Sequence, residues 1–192
     1  GHVTPERNEL WYFSPAKYNT DVDARDQCWW AILTAPDKPY QLGVNNSYSG
    51  ATICFTGYHG DDFTDRSFVT RMYNLGDPDI ILILGATNDS WANSPIGEKV
   101  KDVSKTTRSD LFYFTPAINY LLKNIQILYP KAKVYYVLNS ELKPEINAAV
   151  EDACKANKVP LIKLHDISKR GGHPDRAGMK AIASQVEEVI SK

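Results

Sequence analysis

Apolar residues in this chain fall into two kinds of run, short ones rich in β-branched side chains and longer ones spaced for a helix, and the two kinds alternate. Four short runs, 40–45, 79–84, 133–138 and 159–164, predict strands. In the second, Ile80, Ile81, Leu82, Ile83 and Leu84 follow one another without a polar break, the pattern of a strand covered on both faces and therefore central. Helices are predicted over 23–33, 65–75, 144–156 and 174–190. Gly76 stops the second, and the last turns Met179, Ile182, Ala183, Val186 and Ile190 inward. The clearest helical stripe joins Phe114, Ile118, Leu121, Ile125 and Leu128. Pro116 either occupies the first turn of that helix, with Thr115 as cap, or kinks a helix begun near Ser109. Residues 1–20 and 90–108 lack a period and are expected to be loops. Alternation of strand and helix, with no repeat or linker, predicts one α/β domain over 1–192 with a parallel sheet.

Composition narrows the function classes. A chain of 192 residues, 43% hydrophobic, can bury one sizeable core. A formal charge of -1 offers no electrostatic footing for nucleic acid or an anionic membrane, so a small neutral or weakly charged substrate is expected. Cys28, Cys54 and Cys154 are odd in number and form no Cys-x-x-Cys pair, which argues against a zinc knuckle or a disulfide framework; they read as small core residues. No run approaches the roughly 20 apolar residues of a membrane span, and no basic-then-apolar leader precedes Val3, so a soluble chain is expected. The opening at Gly1 rather than methionine suits a processed product, and a periplasmic or secreted location is expected ahead of a cytoplasmic one.

Three segments sit where a parallel sheet places its reactive crevice, beyond strand C-termini and at helix starts. After the first strand comes Val44-Asn45-Asn46-Ser47-Tyr48-Ser49-Gly50-Ala51, in which a glycine N–H can face a developing negative charge. The same residues also suit a polar turn with Asn and Ser caps, and Ser47 and Ser49 read as turn residues rather than nucleophiles. Gly85-Ala86-Thr87-Asn88-Asp89 ends the most apolar strand. Its Asn88 carboxamide is a neutral N–H donor for an oxyanion or, alternatively, a helix cap, and Asp89 is expected to brace the loop. In Gly171-Gly172-His173-Pro174, Pro174 suits a first helical turn, which puts His173 near the N-cap. There the helix dipole disfavours imidazolium and leaves a ring able to take a proton; a solvent-facing turn histidine is the alternative.

In this order the three segments resemble the blocks of the SGNH (GDSL-like) hydrolases, over most of the chain from about Trp29 to the last helix. The phrases Asn-Asn-Ser-Tyr-Ser-Gly, Gly-Ala-Thr-Asn-Asp-Ser-Trp and Leu-Asn-Ser-Glu-Leu are similar to those of a bacterial subgroup. The resemblance implies a three-layer α/β/α, flavodoxin-like fold and a serine ester hydrolase. It makes the Gly50 N–H and the Asn88 side chain the oxyanion hole and His173 the base, and it implies no metal or cofactor. The family acts on acetyl esters of sugars, lipids and other acyl compounds, so a small acyl ester or acetylated carbohydrate is the expected substrate. Trp91 and Tyr48 are aromatic residues able to stack on a sugar ring.

Two departures from that pattern matter. The family's first strand leads into Gly-Asp-Ser, whose serine attacks; no Gly-Asp-Ser and no Gly-x-Ser-x-Gly occurs here, and the nucleophile is expected upstream of residue 1. A sheet lacking that strand would hold a slot about 9.6 Å wide, two strand spacings, between its neighbours. Either the strand at Tyr40 re-pairs with that at Asp79, or another chain fills the slot and makes a homo-oligomer. The second departure is Arg170, which stands where the family places the aspartate that orients the histidine. Asp166 is the nearest upstream carboxylate and the expected orienting acid, with a backbone carbonyl as the alternative. A different class of function, a non-catalytic carbohydrate-binding or interaction module on the same scaffold, remains the rival reading, and a nucleotide-binding domain ranks last for want of a Gly-rich phosphate loop.

Overall fold

The computed structural model describes residues 21–192. In chain order its regular elements are α1 (Trp29–Leu33), α2 (Phe68–Arg71), β1 (Ile80–Gly85), α3 (Thr87–Ala92), α4 (Phe114–Leu128), β2 (Lys133–Leu138), α5 (Pro144–Asn157), β3 (Leu161–Lys163), β4 (Lys169–Arg170), β5 (His173–Pro174) and α6 (Arg176–Ile190), with short 3-10 turns between some of them. The chain divides into two compact units, 50–163 and a discontinuous one of 21–49 with 164–192.

In the unit 50–163, β1, β2 and β3 form a parallel sheet in that order, with Ile80 opposite Lys133, Gly85 opposite Leu138 and Tyr136 opposite Leu161. The α/β class with a parallel sheet is therefore as the pattern predicted. Two strand expectations are corrected. Residues 40–45 form no strand: Leu42 and Val44 are exposed, and the run does not re-pair with β1. An apolar stretch becomes a strand only where a ladder receives its N–H and C=O groups. Among the described residues β1 is therefore an edge strand rather than the central one, and its burial alternates, with Ile81, Ile83 and Gly85 inside and Ile80, Leu82 and Leu84 only partly covered. The middle position belongs to β2.

The strongest helix forms as its stripe requires, burying Phe114, Ala117, Ile118, Leu121, Leu122 and Ile125, while Leu128, at the last position, is exposed. Pro116 lies in the first turn, but Tyr113 rather than Thr115 is the cap, and a separate 3-10 turn, Asp110–Phe112, precedes it. The unpaired first-turn N–H groups of Phe114 and Thr115 donate to the carbonyls of Pro95 and Ile96, both at 2.8 Å, so proline's missing donor costs nothing there. The helix expected over 65–75 shortens to α2, capped by Ser67, which accepts from the Thr70 N–H. Residues 90–108 are largely irregular, although α3 runs into them.

In the other unit, α1 and α6 pack with Val22, Cys28, Trp30 and Met179 as a small core, and all five residues expected to face inward from α6 are buried. The helix expected over 23–33 is α1 preceded by a 3-10 turn, Arg25–Gln27. Ahead of α6, β4 and β5 form an antiparallel pair, Arg170 opposite His173. Gly171 and Gly172 link them with φ values of 53° and 78°, the left-handed pair that a two-residue turn of this hand demands. The cysteines at 28, 54 and 154 are buried free thiols.

Candidate active site

Sequence places Asn88 immediately after the sheet. β1 ends at Gly85, where a Cβ would crowd Ile53 and Phe68, and Ala86 takes φ 71°, turning the chain straight into α3. Asn88 and Asp89 then lie in the first turn of a short helix and face the segment 51–54. The Asn88 Nδ2 donates to the Ala51 carbonyl at 2.9 Å, and its Oδ1 accepts from the Tyr58 hydroxyl at 2.7 Å. Nδ2 carries a second hydrogen beyond the one given to Ala51.

Asp89 is fully buried and accepts from the backbone N–H groups of Ile53, at 2.9 and 3.0 Å, and Cys54, at 3.2 Å. Burial raises its pKa to about 6, against the lowering effect of those N–H groups. It braces the loop, as the sequence suggested. On the opposite side of α3, Thr87 accepts from Asn139 Nδ2 at 3.0 Å and Ser90 accepts from the Lys143 N–H at 3.0 Å. The helix is thus fastened between two chain segments.

Gly50 directly precedes the strip that Asn88 and Asp89 hold. Its φ of 77° is left-handed, where a side chain would cost about 1–2 kcal/mol, although a Cβ would meet nothing within 4 Å. Among the described residues its N–H donates to no acceptor. The structure therefore brings Gly50 and Asn88 into one local assembly, joined through Ala51. Sequence reasoning missed Tyr58, which stands outside the three segments, and gave no role to Asn139, which follows β2 within the phrase Leu-Asn-Ser-Glu-Leu.

His173 is partly buried in β5, and α6 begins only at Arg176 with Asp175 as its N-cap, whose Oδ1 accepts from the Gly178 N–H. His173 therefore lies two residues ahead of the cap, and Pro174, expected in the first helical turn, precedes the helix in β5. Burial lowers its pKa below 6.5, against the raising effect of its bond to Gly171. Nδ1 lies 2.9 Å from the Gly171 carbonyl. A carbonyl only accepts, so Nδ1 carries the hydrogen and Nε2 is the ring's basic nitrogen.

Asp166 does not supply that acceptor. Its side chain is exposed and hydrogen-bonds His165 Nδ1 at 2.9 Å. The Gly-Gly turn returns the chain so sharply that a carbonyl two residues earlier meets the imidazole first. Arg170 faces the carboxylates of Asp21 and Asp175 at 3.5 and 3.7 Å. Among the described residues no three His, Cys, Asp or Glu side chains group as a metal site requires, and no helix is long and apolar enough to cross a membrane.

The GDSL-like Lipase/Acylhydrolase family model matches residues 1–190. The chain is similar to the crystal structure of a candidate GDSL-like lipase from Bacteroides uniformis, 46% identical with a TM-score of 0.92, covering 100% of this chain and 89% of that one. A second, from Bacteroides ovatus, is 44% identical with a TM-score of 0.91 and covers 100% and 91% respectively. A carbohydrate esterase only 18% identical, covering 87% of this chain and 58% of its own, shares the fold with a TM-score of 0.62. No curated protein matches.

Proposed function

The chain belongs to the GDSL-like lipase/acylhydrolase family, and from that premise we propose that it hydrolyses small carboxylic esters by acyl transfer to a serine and from it to water. The observation that carries the chemistry is the tautomer of His173: its Nδ1 hydrogen is given to Gly171 and burial lowers its pKa, which makes Nε2 the ring nitrogen that takes a proton. Serine Oγ attacks the ester carbonyl carbon and its proton passes to Nε2, while the carbonyl π pair moves onto oxygen. The Gly50 N–H and the second Asn88 Nδ2 hydrogen receive that oxyanion, and collapse expels the alcohol, which takes the proton back from His173. Water repeats the sequence on the acyl-enzyme and releases the acid. With the Gly171 carbonyl in place of Asp166 as the acceptor for Nδ1, this reading makes serine and histidine a dyad. Trp91, exposed on the helix that carries Asn88, supports an acetylated carbohydrate as the substrate class to test first.

The test is turnover of a chromogenic short-chain acetate by the full-length protein, with fluorophosphonate labelling and peptide mapping to locate the serine. His173→Ala is expected to lose at least about a thousandfold in kcat, as removal of a catalytic base does. The acid limb of the kcat/KM profile should have its midpoint below the 6.5 of an ordinary imidazole, because the base works only when unprotonated. Absence of both turnover and label, or a His173→Ala variant as fast as the wild type, would replace the esterase with a non-catalytic binding module.

A further inference from the structure

An asparagine serves as an oxyanion donor only while its nitrogen, not its oxygen, faces the reacting carbonyl. Turning the Asn88 amide over would set Oδ1 against the Ala51 carbonyl, acceptor against acceptor, so Ala51 decides which end points where. Tyr58 acts at the other end. Its hydroxyl donates to Oδ1 at 2.7 Å, which draws electron density away from the amide nitrogen and makes the remaining Nδ2 hydrogen a stronger donor. It also fixes the amide plane before any charge develops, which is what preorganised stabilisation requires.

The phenol is itself held. It opens the 3-10 turn Tyr58–Gly60, closed by the Gly57 N–H donating to Asp61 at 2.8 Å and by the bridge between Thr56 and Asp62. Its ring centre lies 6.3 Å from that of Phe63, and a side chain at Gly57 would overlap the Phe63 ring. Burial and then the Asp89 carboxylate raise the tyrosine's pKa above 10, so it remains a donor throughout the range in which an ester hydrolase works.

We propose that Tyr58 is a positioning residue for ester hydrolysis, holding and polarising the Asn88 carboxamide so that its second N–H meets the oxyanion already aligned. This rests on the reading of Asn88 as the oxyanion donor. Tyr58→Phe removes one hydroxyl and keeps the ring. In the full-length protein acting on an aryl acetate it should lower kcat about tenfold and leave KM within about twofold, since the bond matters only once charge develops. Asn88→Ala should lose about a hundredfold, and adding Tyr58→Phe to it should cost nothing more, because Tyr58 acts through Asn88 alone. In a 15N spectrum the Asn88 side-chain amide pair should move upfield in Tyr58→Phe. A wild-type kcat in Tyr58→Phe, an undiminished tenfold loss in the double variant, or an unmoved amide pair would each overturn the proposal. If Asn88→Ala alone keeps wild-type kcat, the oxyanion assignment has failed instead.

Discussion

Asp89 sits with no exposed surface, and both its oxygens receive backbone N–H groups from the strip that follows Gly50. An asparagine there would put an NH2 donor against the Ile53 N–H, leaving buried donors facing each other at a cost of about 1–3 kcal/mol. The carboxylate has its own penalty. Folding raises the pKa from 3.8 to about 6, so between those values the folded chain holds a proton that the unfolded chain has released. Stability supplied by this group is therefore present at low pH and declines as pH rises through that window. The Asp89→Asn variant should be less stable than the wild type near pH 4, with the difference shrinking towards pH 6. Urea unfolding across that range checks it, and a difference that widens with pH would contradict it.

At the scale of elements, the start of α6 depends on how closely it meets the segment before it. Asp175 caps the helix through Gly178, and its other oxygen accepts from the Ser168 hydroxyl at 2.7 Å. A Cβ at Gly178 would overlap the Ser168 carbonyl oxygen, a backbone atom that cannot swing aside. Alanine gains about 1 kcal/mol over glycine within a helix. Displacing a packed backbone costs about 1–3 kcal/mol, and the cap is stretched in addition. The second effect outweighs the first, so Gly178→Ala should lower the melting temperature by several degrees, measurable by circular dichroism. The same closeness keeps the β4–β5 turn, and hence the His173 ring, in a defined place relative to Gly171.

For the molecule as a whole, the sheet decides which extended residues are protected. β2 has a neighbour on each side, whereas Gln41, Leu42, Gly43 and Val44 are exposed and, among the described residues, enter no ladder. Amide exchange follows such differences, because an N–H leaves its bond only when the surrounding structure opens. In a hydrogen-exchange experiment the amides of 41–44 should be replaced by the first time point, and those of 134–137 should rank among the slowest. Protection at 41–44 equal to that of β2 would show that the run belongs to a sheet after all.

Periodicity alone was enough for the parallel sheet's three strands, for α4, α5 and α6, and for the inward face of α6, since each buries a side that its own spacing defines. Local order also put Asn88 just after a strand, whereas Gly50 follows none among the described residues and His173 lies in β5 ahead of the Asp175 cap. Tertiary structure alone decided that, among the described residues, 40–45 pairs with no strand and β1 lies at an edge, for a strand exists only through its neighbour's hydrogen bonds. It alone chose the Gly171 carbonyl over Asp166 as the partner of His173, and brought Tyr58 to Asn88. Those are contacts of a few ångströms, set by turn geometry and burial, and no spacing along the chain encodes them.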